Sequence, residues 1–472
     1  MRASSISVGT LSLIVVVSAA FVVICGFAPF PVFSSNSDSD VLLFTVAKRY
    51  EPLAWIRGAD RFSSDAVIFL QDASGRHPLV AGFAATADPN VSFDGKSVLF
   101  AAKRQPQNHW QIWEVALGTM PGGETRQITS CADDCVRPFY LPNDRIVYAQ
   151  KTDGRFVIVA ADLAGAQTDR SIVPLTFGPG NFLPTDVLRD GRILFEATYP
   201  LAPNGTPELY TVYSDGSGVE SYRCDHGQAH YSGKQIASGD IVFASTPVIS
   251  GANLERFTSS RAQALHISAP AGEYTGDVAE TSSGDWLLAW RPNAASYFQV
   301  KRWTPNAAAL LPVASEPTAD VIQPAPVVER SVPKRHPSGL HDWPNANLLC
   351  LNAYTSKHKF VAGSIHSVLL YTRDGAGKAA LLGASPVEPD GSFFVQVPTE
   401  QPLQIELLDA SGKTLQRQAG WFWMRRGEQR ACVGCHAGPE TAPENAVPLT
   451  LLKSTTPADM TGIRPPNPSG GH

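Results

Sequence analysis

The sequence predicts a mainly β fold, in which a β-propeller of six blades, with seven as the alternative, precedes a small β-sandwich and a short C-terminal segment. Three observations lead to this prediction. Gly and Pro are abundant, at 38 and 37 of 472 residues, and only 17% of the residues are charged, which suits strands joined by turns. A strand-forming unit recurs along residues 40–290, and alternating strands follow it. A chain of this length is also expected to contain more than one hydrophobic core.

The repeated unit consists of a turn, two aliphatic residues, a large apolar anchor and a polar stretch. Copies such as "FDGKSVLFAAKR", "RDGRILFEATY" and "ASGDIVFASTP" begin with the turn residues of hairpins. After a longer first interval, the anchors recur roughly every 45–50 residues, the size of one propeller blade. The anchors are Phe44, Phe100, Tyr148, Phe195, Phe243 and Leu288. One unit cannot bury both of its faces alone, so radial stacking over residues 40–312 is predicted, with six unrelated hairpins in a sandwich as the alternative. The copies resemble TolB-like propeller repeats.

The second part of the chain changes in composition. Residues 313–344 are rich in proline and predict an extended linker between domains. Beyond them, "HSVLLYTRDG", "PDGSFFVQVP" and "PLQIELLDASGK" alternate as strands do, so residues 345–424 are predicted to form the β-sandwich. Residues 425–452 form the C-terminal segment, and the polar, Pro-rich residues 453–472 are predicted to be a disordered tail.

The first 35 residues predict export of the chain. The run from Val8 to Phe33 contains no charged residue and follows Arg2, which is typical of a signal-anchor or a signal peptide. The length of the run favours an uncleaved anchor, so we expect a periplasmic or other extracytoplasmic protein tethered to the inner membrane by an N-terminal helix. The net charge of -5 and the lack of a dense Lys/Arg cluster argue against nucleic acid as a partner.

The stretch "ACVGCH" near the C-terminus contains the motif with the most specific chemistry. Cys432, Cys435 and His436 form C-x-x-C-H, the pattern in which two thiols bind haem vinyl groups as thioethers and the histidine binds the iron. A redox disulfide is one alternative, but that motif belongs to a βαβ unit, for which nothing around residues 400–450 provides the pattern. A zinc site is another alternative, but the sequence has no second C-x-x-C. The sequence therefore predicts one covalent haem c, with His436 as the proximal ligand.

A six-coordinate haem requires a second axial ligand, for which the sequence offers three candidates. His358 lies in the polar stretch "TSKHKF", His366 precedes a predicted strand, and Met460 lies 24 residues beyond His436. Met460 ranks last because its segment is predicted to be flexible, and each histidine has an alternative role as an ordinary surface or capping residue.

Two further groups of residues carry possible chemistry. Cys131 and Cys135 lie on one short loop of an exported domain, where a disulfide is expected and metal binding is the alternative. A second site would require distant residues to converge, although scattered residues of these types are more often structural. The residues of that possible site are Cys224, His226, His230, Cys350 and Tyr354.

The repeats, the linker, "LGASPVEPDGSFFVQVP" and "GWFWMRRGEQRACVGCHAGPE" together resemble the hydrazine synthase alpha-subunit family. The resemblance covers most of residues 40–445 and is most specific from Pro386 to His436. It implies a propeller followed by a β-rich domain that ends in a c-type haem, with Cys432, Cys435 and His436 as the attachment residues. Members that form hydrazine resemble a multi-haem assembly with a further, catalytic haem, whereas this sequence contains a single C-x-x-C-H.

The expected function is therefore electron transfer through the covalent haem, with the propeller as the docking scaffold for a redox partner protein. A redox-complex subunit is favoured over a stand-alone enzyme. The alternatives are a haem enzyme of nitrogen or peroxide chemistry, and a propeller binding module with a structural haem.

Overall fold

The computed structural model describes residues 41–119, 124–164, 172–198, 206–223, 228–246, 252–261, 263–356, 358–374, 377–418, 420–434 and 445–462. Several predicted features lie outside these residues: the N-terminal segment 1–35, Cys224, His226, Cys435, His436 and the last ten residues of the tail. No helix within the described residues has the length and apolarity that a membrane crossing requires.

The described residues from 41 to 326 form six antiparallel sheets, five of four strands and one of five. The first sheet has the order β25 (Asp320–Pro326), β1 (Leu42–Ala47), β2 (Val67–Asp72), β3 (Gly75–Pro78). The second has β4 (Ala85–Val91), β5 (Ser97–Lys103), β6 (Gln111–Ala116), β7 (Thr125–Gln127). The third has β8 (Cys135–Leu141), β9 (Arg145–Thr152), β10 (Arg155–Asp162), β11 (Val173–Pro174).

The remaining three sheets repeat this meander. The fourth contains β12 (Asn181–Val187), β13 (Ile193–Thr198), β14 (Glu208–Val212), β15 (Glu220–Ser221). The fifth contains β16 (Ala229–Gln235), β17 (Ile241–Thr246), β18 (Asn253–Phe257), β19 (Leu265–His266). In the sixth, β20 (Glu273–Tyr274) and β21 (Ala279–Glu280) both pair with β22 (Trp286–Arg291), which is followed by β23 (Gln299–Trp303) and β24 (Leu311–Ala314). Two short 3₁₀ turns, Ala54–Arg57 and Leu117–Thr119, lie in the connections of the first two sheets.

The predicted anchor residues occupy the cores of these sheets. All six, from Phe44 to Leu288, are at most 1% exposed, and each lies on the strand that follows the innermost strand of its sheet. Each sheet contacts the next along the chain, and the sixth contacts β25 of the first. The pairing of β25 with β1 joins the two ends of this segment, with Thr45 opposite Ile322. The prediction of a mainly β fold is confirmed.

A β-bulge interrupts the innermost strand of several sheets and points a polar residue inward. Asp88, Arg137, Ser232 and Gln323 each have a positive φ of 52–56° and lie at or beside a register shift in the strand pairing. Because a bulge leaves its extra residue unpaired and redirects the side chain, these four residues meet other polar groups inside the protein. All four are at most 6% exposed.

The bulge residues build a buried network of charged groups. Arg61 donates a hydrogen bond of 2.6 Å to Asp88, which also accepts one of 2.7 Å from Gln323. The guanidinium of Arg137 lies 3.3 Å from Asp277 and 3.9 Å from Glu196. Charged groups at this depth require partners, and these contacts supply them between residues of different sheets.

The Pro-rich segment after β25 lies along the surface of these sheets. The backbone N–H of Arg330 donates to Phe93 O (2.8 Å), and that of Lys334 donates to Arg189 O (2.9 Å). The ring of His336 stacks on Tyr213 with centroids 3.9 Å apart. Residues 320–326 of the predicted linker form β25 itself, because this strand completes the first sheet and its hydrogen bonds are to β1.

The C-terminal part forms two further four-stranded sheets. The first has the order β32 (Gln429–Cys432), β26 (Ala346–Cys350), β29 (Phe393–Val397), β33 (Ala458–Asp459). The second has β28 (Ala379–Pro386), β27 (Ser367–Arg373), β30 (Gln404–Leu408), β31 (Thr414–Arg417). A shared apolar core contains residues of both sheets, including Leu348, Val368, Leu370 and Val395.

The start of the predicted tail is ordered. A short helix α1, Leu449–Lys453, precedes β33, which pairs in parallel with β29. Met460 is 1% exposed and packs in the core of the two C-terminal sheets. The composition of residues 453–472 predicted disorder, whereas residues 453–462 pack against the sheet through β33 and the buried Met460.

Candidate cofactor-attachment site

Cys432, the first cysteine of the C-x-x-C-H motif, is the last residue of β32. This strand pairs in parallel with β26, and Cys350 is the register partner of Cys432. One residue further along, the N–H of Leu351 donates a 2.9 Å hydrogen bond to Cys432 O. The sheet therefore fixes the backbone of the motif up to its first cysteine.

Gly434, between the two cysteines of the motif, packs against the loop that follows β26. A Cβ atom at this position would lie 2.2 Å from Thr355 O and 2.6 Å from Asn352 O, which only a glycine avoids. The loop is itself held in place, since Ala353 N donates to Gly391 O (2.9 Å) and Ile365 N donates to the Tyr354 hydroxyl (3.1 Å). The described part of the motif, up to Gly434, thus rests on a loop that is tied to the sandwich.

The environment of Cys432 fits a thioether to an apolar group. Its side chain is half-buried and contacts the apolar core of the sandwich, where Tyr354 and Phe360 are also partly buried. Cys432 forms no disulfide with a described residue. Burial raises the pKa of its thiol above the ordinary value, so the thiol stays protonated near neutral pH. Cys435 and His436 lie outside the described residues, so their predicted roles stay predictions.

The aromatic run before the motif packs against the fourth sheet of the N-terminal part. Trp421 and Trp423 are 2% and 0% exposed and lie in a cluster with residues of β12, β13 and β14. The ring of Trp423 meets Phe182 edge-on with centroids 5.6 Å apart. Phe422 also contacts the sandwich core. These side chains join the two parts of the protein, which is the packing role that their composition allows.

The arginines of the same stretch bind protein groups. Arg430 contacts Glu428 at 2.6 Å and donates to Trp423 O at 3.1 Å. Arg425 lies 3.2 Å from Glu400. Arg426 is more exposed and lies 4.0 Å from Asp342. Arg425 and Arg430 therefore help to fix the aromatic run and β32 in place.

The three candidates for the second axial ligand lie in different surroundings. His358 is exposed and follows, by three residues, Thr355, whose carbonyl lies against Gly434. His366 is also exposed, and its backbone N–H donates to Leu408 O in the second C-terminal sheet. Met460 is buried beside Gly383 and follows β33, at the edge of the sheet opposite to β32. His358 is thus the candidate whose segment contacts the motif.

The structure joins Cys131 and Cys135 by a disulfide bond. Beside it, His109 Nδ1 lies 3.3 Å from Asp133 and 3.5 Å from Asp134, an arrangement with metal-ligating atoms. The sequence contains no local signal for this group, because His109 lies 24 residues before Asp133. Asp134 already accepts a hydrogen bond from the Trp110 N–H, which gives it a structural role.

The possible second site is only partly described. Cys350 ends β26, and Tyr354 lies in the loop that follows, so these two residues are close to the motif. His230 lies on β16 in the fifth sheet, 3% exposed, between the rings of Phe243 and Phe257 at 4.9 and 5.4 Å. Cys224 and His226 lie outside the described residues. A site formed from all five residues stays a prediction.

Comparison with known proteins identifies the C-terminal part most clearly. Residues 366–437, from the start of the second C-terminal sheet through the C-x-x-C-H motif, match the model of the hydrazine synthase alpha subunit middle domain. The structure of Kuenenia stuttgartiensis hydrazine synthase superposes with a TM-score of 0.74 at 16% identity, over 88% of this chain and 72% of that chain. Residues 366–437 are therefore similar to this domain in sequence, and the wider match shows a shared fold.

Two further solved structures match the chain with lower scores. TolB from Acinetobacter baumannii gives a TM-score of 0.46 at 15% identity, over 63% of this chain and 68% of that chain. A putative TolB from Agrobacterium tumefaciens gives a TM-score of 0.40 at 14% identity, over 58% of this chain and 88% of that chain. No curated protein sequence matches the chain.

Proposed function

We propose that this protein is a hydrazine synthase alpha-like, exported monohaem c-type electron-transfer protein. Cys432 and Cys435 would hold the haem as thioethers, and His436 would bind its iron. The observation that carries the proposal is the placement of the motif: β32 and the close contact of Gly434 with Thr355 O hold its first half in one position. A haem bound there would supply a one-electron Fe(II)/Fe(III) couple.

The rest of the chain would serve as a rigid scaffold. The six sheets would be the blades of one propeller, closed by β25 and β1, and this unit would dock a redox partner protein. Trp421 and Trp423 would hold the attachment site in a fixed position relative to this unit, because they pack in the cluster of the fourth sheet. An N-terminal helix would tether the protein to the inner membrane, with the body in the periplasm.

His358 is the second axial ligand that the geometry favours. Its loop contacts Gly434, whereas His366 is tied to the second sheet and Met460 is enclosed at the opposite edge of the first. Replacing His358 with alanine is expected to shift the Soret and α bands of the purified protein, whereas His366→Ala is expected to leave them unchanged. A spectrum that responds only to His366→Ala or to Met460→Leu would contradict this assignment.

A haem enzyme of nitrogen chemistry is the second candidate, and the match of residues 366–437 to the hydrazine synthase alpha subunit middle domain favours it. The two functions differ in the coordination of the iron, because catalysis requires an open or weakly held position. Carbon monoxide binding to the reduced protein separates them. Slow or no binding at neutral pH supports electron transfer, and rapid binding supports the enzyme.

The first experiment is expression of the full chain with a c-type haem-maturation system. Haem staining on a denaturing gel and intact mass should show one covalent haem, and both Cys432→Ser and Cys435→Ser should reduce the staining. A chain that carries no covalent haem under these conditions would refute both haem functions. A matched control is Cys131→Ser, whose disulfide lies in the N-terminal part and whose loss should leave the stain unchanged.

A further inference from the structure

A second cysteine stands directly beside the first cysteine of the motif. Cys350 is the last residue of β26, Cys432 is the last residue of β32, and the two are register partners in a parallel pair. Register partners of neighbouring strands project from the same face of a sheet. Both side chains accordingly contact the same apolar core. The topology therefore places two thiols side by side although 81 residues separate them in the chain.

The spacing of the strands suits a disulfide. Neighbouring strands lie about 4.7–4.9 Å apart, and disulfides join residues whose Cα atoms are about 4.4–6.8 Å apart. The pair also lies at the end of both strands, where fewer strand hydrogen bonds restrain the backbone than in the middle. Beyond it, among the described residues, the Leu351 N–H to Cys432 O hydrogen bond continues the pairing.

We propose that Cys350 and Cys432 form a disulfide in the chain that lacks haem, and that this bond blocks Cys432 until it is reduced. The bond forms by exchange with a disulfide of an exported dithiol oxidoreductase. The two protein thiols lose two protons and two electrons, the oxidant's S–S bond breaks, and two thiols of the oxidant are released. The blocking role rests on the proposed haem attachment, whereas the bond itself rests only on the proposed export of the chain.

Tryptic digestion distinguishes a Cys350–Cys432 bond from a Cys432–Cys435 bond, because trypsin cleaves after lysine and arginine residues that place Cys350 in a different peptide. Cys350 lies in the peptide 336–357, and Cys432 and Cys435 both lie in the peptide 431–453. A Cys350–Cys432 bond joins the two peptides. A bond between Cys432 and Cys435 leaves them separate and lowers the mass of the second peptide by two hydrogens.

The test uses the full chain exported without a haem-maturation system, blocked with N-ethylmaleimide and digested without reduction. The joined peptides are expected in the wild-type protein and in Cys435→Ser, and their loss is expected in Cys432→Ser and in Cys350→Ala, which keeps the buried position apolar. Alkylated Cys350 in both the wild-type protein and Cys435→Ser would overturn the proposal. So would joined peptides that persist in Cys432→Ser.

The blocking role has its own readout. When the haem-maturation system is present and its thiol reductant is limiting, Cys350→Ala is expected to carry covalent haem on a larger fraction of chains than the wild-type protein. An equal fraction would overturn the blocking role. If no variant acquires haem, the proposed function fails, while the peptide result still decides whether the disulfide forms.

Discussion

The buried carboxyl group of Glu196 should make the stability of the protein depend on pH. Glu196 is 2% exposed on β13 and accepts a 2.8 Å hydrogen bond from the Ser232 N–H. Burial raises its pKa from the ordinary 4.5 to about 7, and the negative charge of Asp277 acts in the same direction. The positive charges of Arg137 and Arg61 oppose this rise, but Arg137 lies 3.9 Å away and also contacts Asp277.

The sign of the effect follows from proton binding. Between pH 4.5 and about 7 the folded protein keeps a proton on Glu196 that the unfolded chain releases. The stabilisation is therefore complete below pH 4.5 and is lost as the pH rises through 7. At 1.36 kcal/mol per pKa unit, Glu196 should contribute about 2.5 kcal/mol less to the free energy of unfolding at pH 8 than at pH 5.

The substitution Glu196→Gln removes the titration and keeps the shape and the hydrogen-bond acceptor. Urea unfolding of the wild-type and variant proteins, followed by tryptophan fluorescence from pH 5 to pH 8, measures the effect as a difference. That difference should change by about 2.5 kcal/mol in favour of the variant as the pH rises. Glu124→Gln, at an exposed position, should instead follow the wild-type curve. Parallel curves for the wild-type protein and Glu196→Gln would refute the reasoning.

Three further substitutions test the packing of the chain. Arg137→Met should lower the free energy of unfolding by about 3–5 kcal/mol, because it leaves buried carboxylates without their partner. Its control is Arg126→Met, at a more exposed ion pair, which should cost less than about 1 kcal/mol in the same urea assay. Gly434→Ala should lower the yield of covalent haem on a stained gel, because its Cβ would lie 2.2 Å from Thr355 O and force the motif away from its loop. Trp423→Ala should cost about 3–5 kcal/mol by the same urea assay, since the side chain is fully buried between the two parts of the protein.

The last two substitutions have matched controls in the same chain. Gly339→Ala places a Cβ in open space, and its haem yield should equal that of the wild-type protein. Trp343 is 52% exposed, so Trp343→Ala should change the stability by much less than Trp423→Ala. Haem yield that is unaffected in Gly434→Ala, or equal costs for the two tryptophans, would contradict the packing described above.

The structure differs from the sequence-based predictions most in the C-terminal part. The composition of the segment after residue 453 predicted disorder, yet β33 pairs with β29 and Met460 is buried. The aromatic run before the motif packs against distant residues, since Trp421 and Trp423 are buried against the fourth sheet. Local composition cannot predict such features, because each depends on a partner far away in the chain.

The sequence by itself determined the features that repeat or that are local. The spacing of anchors such as Phe100 and Phe195 predicted the repeated sheets. A strand that buries one face alternates apolar and polar residues, and a hairpin requires turn residues, so both leave a local pattern in the sequence. The order of Cys432, Cys435 and His436 predicted a haem-attachment motif, because that chemistry operates within one turn of the chain. Only the tertiary structure decided the contacts between distant residues. It brought Cys350 beside Cys432 through a parallel strand pair, and it gathered Asp88, Arg137 and Glu196 into one network, since strand order and bulges set those neighbours.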